Sequence, residues 1–421
     1  MRDPLAVSVV IVSRDRPEYL RRCILGVSQL CYPRFEVVVV ADHASCTALR
    51  GLPQAAHTKI VEFGEANISA ARNAGIAYAA GEIVAFIDDD AVPEPTWLDY
   101  LTEPFAEPVV MAVGGYVRGR NGISFQSRAA MVDRTGRETP LRVPPNRMSI
   151  PELPDDHAVK TEGTNMAFRR ACLVDIGGFD PRFRFFLDET DLNLRLAARA
   201  HVTAVAPLAE VHHGFAPSRR RRADRTPTDL RQIGASWAVF LHEHAATGQR
   251  EAAWRRVQAE QRKRLVEHMV AGTLEPRDVR CLLRGLREGH AEGLARVEVP
   301  VALPPRPEQP FRPFPGRHGA RPVLISGRFW TRRRQRARAR AAVEAGNIVT
   351  VMRFTHTALF HTVRFRDEGF WEHTGGLFGR SDRDQRLFTF WTFAARVHAE
   401  AERVRLVRGL DEYVGERRAV L

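Results

Sequence analysis

"GEIVAFIDDDAVPEP", residues 81–95, drives an apolar run straight into three consecutive aspartates and then meets Pro93. A short, β-branched apolar run bounded by turn residues is the pattern of a strand buried on both faces, as at the centre of a parallel sheet. Side chains two apart on a strand share a face, so Asp88 and Asp90 meet at its end, where like charges repel. A metal ion, a basic side chain or solvent would each relieve that repulsion. Asp88 and Asp90 together offer two hard oxygen ligands suited to Mg2+ or Mn2+. Asp89 points to the opposite side and has no role of its own in this reading.

The same pattern continues outward from this strand. "AVSVVIVSR" (6–14) reads as a buried strand, followed by an amphipathic helix, "RPEYLRRCILGVSQL" (16–30), with Pro17 in its first turn. "FEVVVVADHAS" (35–45) is a second strand, running into Asp42, and "NISAARNAGIAYAAG" (67–81) is a helix closed by Gly81. These alternating units predict an α/β fold with a mostly parallel central sheet flanked by helices. Successive strands end in polar or acidic residues, and the carboxyl ends of strands are where open α/β sheets hold ligands.

Farther along, "GTNMAFRRACLVDIGGFDPRF" (163–183) and "FLDETDLNLRLAARA" (186–200) read as two helix-like segments separated by Gly177-Gly178. "HVTAVAPLAEVHH" (201–213) reads as a last strand. The expected division is an α/β sheet domain over 1–217, a helical extension over 218–298, a proline-rich extended linker over 299–320 and a small α/β domain over 321–421. In that last part "PVLISGRFW", an arginine-rich helix and "IVTVMRF" form a β-α-β unit, and its many aromatic residues are expected to be core.

Composition narrows the partners. The formal net charge of +13 attracts anions such as nucleotide phosphates or acidic lipid headgroups. "SRRRRADR" (218–225) suits a diphosphate, an acidic glycan or a peripheral contact with a membrane. The arginine helix (331–342) lacks interleaved stacking aromatics, which disfavours nucleic acid as a partner. Five scattered cysteines without a CxxC pair argue for reduced thiols and against a zinc site. No apolar run reaches the roughly 18 residues of a spanning helix, so the expected location is cytoplasmic, at most peripheral to the inner face of a membrane.

In order and spacing, five segments carry a family resemblance: "VSVVIVSRDRPEYLRRCI", "VVVVADHAS", "NISAARNAGIAYAAGEIVAFIDDDAVPEP", "GTNMAFRRACLVDIGGFD" and "FLDETDLNLRL". Together they resemble a family 2 inverting glycosyltransferase with the GT-A fold, over roughly residues 6–245. The resemblance implies a nucleotide-diphosphate sugar donor, a UDP-sugar by family frequency, and a glycan, lipid-linked or other hydroxyl acceptor. It implies that Ser13 and Arg14 line the nucleotide pocket, that Asp42 contacts the base, and that Arg72 and Asn73 lie near the pyrophosphate or uracil. Asp88 would face ribose or metal, and Asp90 would bind metal directly. In "LDETDL" the base position falls on Glu189, with Asp188 and Asp191 positioning it, and Thr164 and Asn165 belong to the acceptor side. A histidine that completes the metal site maps first to His212 and second to His213. Two departures stand out: His43-Ala44 follows Asp42 where the family usually has Asn-Gly, and Asp188-Glu189 reverses the usual order of the acids. The first leaves base preference open. The second keeps alive an alternative, a catalytically weak scaffold that binds nucleotide, glycan or a partner.

Overall fold

Alternation along the first apolar run sends Val7, Val9 and Ile11 into one hydrophobic layer and Val10 into another, so the strand is covered on both sides. In the computed structural model, which describes residues 3–410, this run is β1 (Val7–Ser13). It leads to α1 (Pro17–Val27), β2 (Phe35–Ala41), α2 (His43–Arg50), β3 (Thr58–Glu62), α3 (Ile68–Tyr78) and β4 (Ile83–Asp88). After the acidic turn come β5 (Ala91–Pro93), α4 (Trp97–Thr102) and β6 (Val110–Arg118). Four short strands follow: β7 (Phe125–Ser127), β8 (Ala130–Asp133), β9 (Glu138–Pro140) and β10 (His157–Lys160). Then β11 (Met166–Arg169), α5 (Arg170–Ile176), α6 (Asp188–Ala198) and β12 (Val202–His213) close the first layer of structure.

The main sheet has the order β3-β2-β1-β4-β11-β6-β12-β5, with β7 added on β6. β1 runs parallel to β2 and β4, whereas β11 is antiparallel to both β4 and β6. Helices α1, α2 and α4 cover one face through Ile24, Leu49 and Trp97; α3, α5 and α6 cover the other through Ile76, Leu173 and Leu192. The result is the expected mostly parallel α/β sheet flanked by helices. Gly81 lies beyond the end of α3, and its role is close approach: a Cβ there would stand 2.6 Å from the backbone nitrogen of Ser8.

The segment 163–183 departs from its helix-like reading. Met166–Arg169 is a strand and only Arg170–Ile176 is helical. Met166 and Phe168 enter one hydrophobic layer and Ala167 the other, which is strand alternation over a run too short to establish a period.

Beyond the sheet, α7 (Arg231–His244), α8 (Thr247–Val270) and α9 (Pro276–Leu294) form the expected helical stretch. Residues 299–320 contain no helix or strand, yet they lie along the sheet domain. The Glu308 N–H donates to Ala77, that of Phe314 to Phe35, and that of Arg312 to the Glu36 carboxylate at 2.8 Å. Glu36 is itself buried against Lys59 at 2.9 Å. The C-terminal part contains β13 (Pro322–Arg328), α10 (Arg332–Glu344), β14 (Ile348–Thr355), β15 (Thr362–Phe365), β16 (Trp371–Gly376) and α11 (Phe393–Arg408). β13 and β14 are parallel, as the β-α-β reading requires, in a sheet of order β13-β14-β16-β15. Residues 411–421 of the expected C-terminal domain lie outside the described residues. Its aromatics divide: Phe354, Phe365, Phe370 and Trp371 are buried, while Trp330, Phe360 and Phe390 are exposed. No helix among the described residues is long and apolar enough to cross a membrane.

The C-terminal sheet shares a core with the first domain, where Val363, Phe365 and Trp371 meet Val92 and Ile123. At this seam the Arg408 guanidinium grips Glu94 with two hydrogen bonds of 2.8 Å, and His212 reaches the same carboxylate at 2.8 Å. Burial pushes the Glu94 carboxyl up, but Arg408 and His212 outweigh it and hold it at about 2. Removing one partner of such a pair strands the other charge in the interior. Arg408→Met is therefore expected to destabilise the full chain by about 3–5 kcal/mol in chemical denaturation, against an unchanged value for the exposed Arg338→Met.

Candidate active site

Three strand ends build the site. β1 delivers Ser13, whose hydroxyl donates to Asp89 at 2.7 Å, and the following turn delivers Arg16, 2.7 Å from Asp89 and 3.6 Å from Asp90. β2 delivers Asp42, which caps α2 by accepting from the Ser45 N–H at 3.0 Å and also accepts from the Asp15 N–H at 2.6 Å. Arg14 donates to the Gly64 carbonyl at 2.7 Å. β4 delivers Asp88, whose side chain remains one-third exposed, and the turn after it buries Asp89 and Asp90. Asp89, unassigned in the sequence, is thus a buried anchor. Burial pushes its carboxyl up to about 7, against the pull of Arg16.

Asp90 is held by the chain that leaves β12: its carboxylate accepts from the Ala216 N–H at 2.7 Å and its carbonyl from the Gly214 N–H at 2.7 Å. His213 Nε2 stands 3.2 Å from Asp90, and one donor atom each from Asp88, Asp90 and His213 lies within 4.8 Å of the others. The first-choice histidine, His212, faces the other way, onto Glu94 at the seam with the C-terminal sheet. On β12 it is His213, the second choice, that faces Asp88 and Asp90. Its other ring nitrogen, Nδ1, is 2.8 Å from the amide oxygen of Gln126, a contact that orients the ring, while Asp90 beside Nε2 raises the proton affinity of the imidazole against its burial, a proton that a metal ion at Nε2 would displace. Two carboxylates and one correctly oriented imidazole fit a divalent cation such as Mn2+ or Mg2+. A second cluster, Glu94, Glu210 and His212, is already neutralised by Arg408 on Glu94 and Arg118 on Glu210.

Behind these aspartates, Arg72 on α3 is buried and bridges the two acidic elements. Its guanidinium pairs with Asp188 and lies 3.6 Å from Asp88, and it donates to the Gly163 carbonyl at 3.0 Å. A Cβ at position 163 would stand 2.5 Å from that guanidinium, so glycine leaves the room Arg72 needs. Phe186 and Leu187, with φ of 73° and 66°, turn the chain sharply into α6 and set Asp188 and Glu189 at its first turn. Desolvation raises the Glu189 carboxyl above its ordinary range, Asp188 adds to the rise, and Lys160 on β10 pulls against it. Lys160 also pairs with Glu162 at 2.7 Å.

Several expected site residues are occupied elsewhere. Asp191 faces His244 at 2.9 Å and Arg195 at 2.8 Å, lining a separate cavity of about 810 Å³ beyond α6. Asn73 clamps Phe179, donating to its carbonyl at 2.6 Å and accepting from its N–H at 2.8 Å. Asn165 spends its amide on Trp97, Tyr116 and Ala209, each at 2.8 Å, so it braces the sheet and is not free to meet an acceptor. Thr164 is buried, and its hydroxyl has no hydrogen-bond partner among the described residues. Arg16, Gln126 and Lys160 were not legible as site residues; the one signal was an arginine two residues beyond Arg14 in a strand-end turn. The basic loop lies against the same face, with Arg219 at 3.2 Å from Asp15 and Arg221 donating to Ala216 at 3.2 Å. His43, at the start of α2, is 3.0 Å from Glu62.

The profile described as "Glycosyltransferase like family 2" matches residues 4–234. The O-antigen biosynthesis protein RfbC of Myxococcus xanthus is 30% identical over 52% of this chain and 18% of its own length. The pre-mycofactocin glycosyltransferase of Mycobacterium tuberculosis is 27% identical over 49% of this chain and 42% of its own. The chain thus spans less than half the length of these relatives. Among solved structures, a mannosyltransferase from Pyrobaculum calidifontis in complex with GDP-Man and Mn2+ aligns with a TM-score of 0.42 at 18% identity, over 69% of this chain and 88% of that one.

The orientation of His213 generates a measurable expectation. Loss of a group that orients a metal ligand typically costs 10–100-fold in affinity. In calorimetric titration of the full chain with Mn2+, Gln126→Ala should weaken binding by about that factor and His213→Ala by at least as much.

Proposed function

The chain belongs to the family 2 glycosyltransferases, and from that premise we propose that it transfers a sugar from a nucleotide-diphosphate donor to an acceptor hydroxyl with inversion. The observation that carries this reading is the position of Arg72, which ties Asp88 at the end of β4 to Asp188 beside Glu189. A donor seated over Asp42, Ser13 and Asp88 would then present its sugar toward α6. The acceptor oxygen attacks the anomeric carbon, its proton passes to Glu189, and the bond to the diphosphate breaks with its electron pair on the leaving oxygen. Burial and the neighbouring Asp188 raise the proton affinity of Glu189, which makes its carboxylate the stronger base once deprotonated, and a general base contributes typically 10²–10⁴-fold. A divalent cation held by Asp88, Asp90 and His213 would offset the negative charge of the diphosphate. Arg16, Arg219 and Arg221 lie on the same face and bring further positive charge to it.

The donor proposed is a UDP-sugar. The acceptor proposed is a glycan or lipid-linked hydroxyl in bacterial surface polysaccharide synthesis, which the role named for the Myxococcus relative supports. A thermal-shift panel of UDP-, GDP- and dTDP-sugars with and without Mn2+ tests this directly. Stabilisation by one donor only when metal is present is the expected result; no shift with any donor would overturn the reading.

The reversed Asp188-Glu189 order favours one rival, a scaffold that binds nucleotide without turning it over. Glu189→Gln should lower turnover by about 10²–10⁴-fold while leaving donor affinity within a few-fold, whereas a binding-only protein would show no wild-type turnover to lose. Lys160 favours the charged form of Glu189, so Lys160→Met should raise that carboxyl's proton affinity further. The acid limb of the kcat/KM profile should then move to higher pH.

A further inference from the structure

Exposed aromatic side chains are concentrated in the turns and loops that flank the C-terminal sheet. Phe329, Trp330, Phe360, Phe388 and Phe390 are 46–85% exposed, and among the described residues Phe186 is the one other exposed phenylalanine or tryptophan. They are not scattered. Phe329 touches Trp330 at 5.2 Å between ring centroids, Trp330 stacks on His356 at 6.1 Å, and His356 meets Phe378 at 6.5 Å. Phe378 continues the line to Phe388 at 5.4 Å and Phe390 at 5.9 Å. Leu359 and Leu387, both exposed, stand beside these rings in the chain. Arginines accompany this ridge: Arg380 lies over Phe360 at 5.1 Å, Arg328 bonds His356 at 2.7 Å, and the first turn of α10 exposes Arg332, Arg333 and Arg334 immediately after Trp330.

We propose that this aromatic and arginine ridge docks the protein onto an anionic lipid bilayer. A continuous exposed apolar patch marks an interaction surface. Aromatic and aliphatic tips that enter the headgroup region, flanked by guanidinium groups that stay at its surface, are the chemistry of interfacial binding. A flat sugar would use the ring faces but not Leu359 or Leu387. The net charge of +13 and the exposed Arg332, Arg333 and Arg334 beside the rings are complementary to an anionic surface, which neutralises them, whereas a second copy of this chain brings the same excess of positive charge. Binding of this kind requires neither donor nor metal, so its failure would leave the glycosyl-transfer reading untouched.

Co-sedimentation of the full chain with vesicles of phosphatidylglycerol and phosphatidylcholine, compared with phosphatidylcholine alone, tests the proposal. Wild type is expected to partition onto the anionic vesicles, with a blue shift of tryptophan emission that Trp330→Ser reduces. The double variant Phe388→Ser/Phe390→Ser and the triple variant Arg332→Ser/Arg333→Ser/Arg334→Ser should each bind about tenfold more weakly or worse. All these side chains are exposed, and unchanged thermal melting confirms that the variants fold. Failure of wild type to bind either vesicle, or equal binding by the variants, would overturn the proposal. So would concentration-dependent self-association abolished by Phe388→Ser/Phe390→Ser, which would make the ridge an interface between copies.

Discussion

The Arg72 guanidinium is the contact on which the site depends. It is buried, it pairs with Asp188 and lies 3.6 Å from Asp88, and it rests near the rings of Phe86 and Phe179. A buried guanidinium without partners is costly, and carboxylates crowded together without a cation are equally so. Each requirement answers the other. The consequence is geometric: α3, the end of β4 and the start of α6 are locked together, and Glu189 is carried into place by the residue before it.

A second layer of support comes from the far side of the sheet. β12 sends His212 and His213 in opposite directions, one to Glu94 and Arg408, the other to Asp90. Neighbouring residues of one strand thereby connect the C-terminal helix α11 with the candidate metal cluster. The proline-rich stretch contributes in the same sense, since its backbone donates to the buried Glu36 carboxylate and closes over α3 and β2. Segments that read as linker and tail are bonded to the sheet that carries the site.

Much of this was legible beforehand because strands and acids leave simple marks. The runs at 6–14, 35–45 and 82–90 are dominated by apolar and β-branched residues, the pattern of a strand covered on both faces, and their polar ends mark the ligand edge. Asp42, Asp88, Asp90, Asp188 and Glu189 stand at strand or helix ends in both descriptions. The histidine was harder. Alternation predicts which of two adjacent residues faces a site only if the strand is regular, and β12 loses register with β6 between Ala206 and Glu210. The strand Met166–Arg169 was missed because four residues are too few to show a period. The resemblance places Asn73 with the donor and Asn165 with the acceptor, yet both satisfy backbone groups that would otherwise be buried unpaired.

The sequence alone therefore determined the α/β class, the strands β1, β2, β4 and β12 and the acidic edge where chemistry would gather, since these follow from local periodicity and from where charge interrupts it. Tertiary structure decided the direction of individual side chains. Whether Asp89 anchors or idles, whether His212 or His213 meets Asp90, and whether Asp191 serves the site or the cavity behind it depend on partners distant in the chain. The physical reason is that a buried polar group takes whichever partner the fold brings within hydrogen-bond reach, and no local pattern encodes that distance.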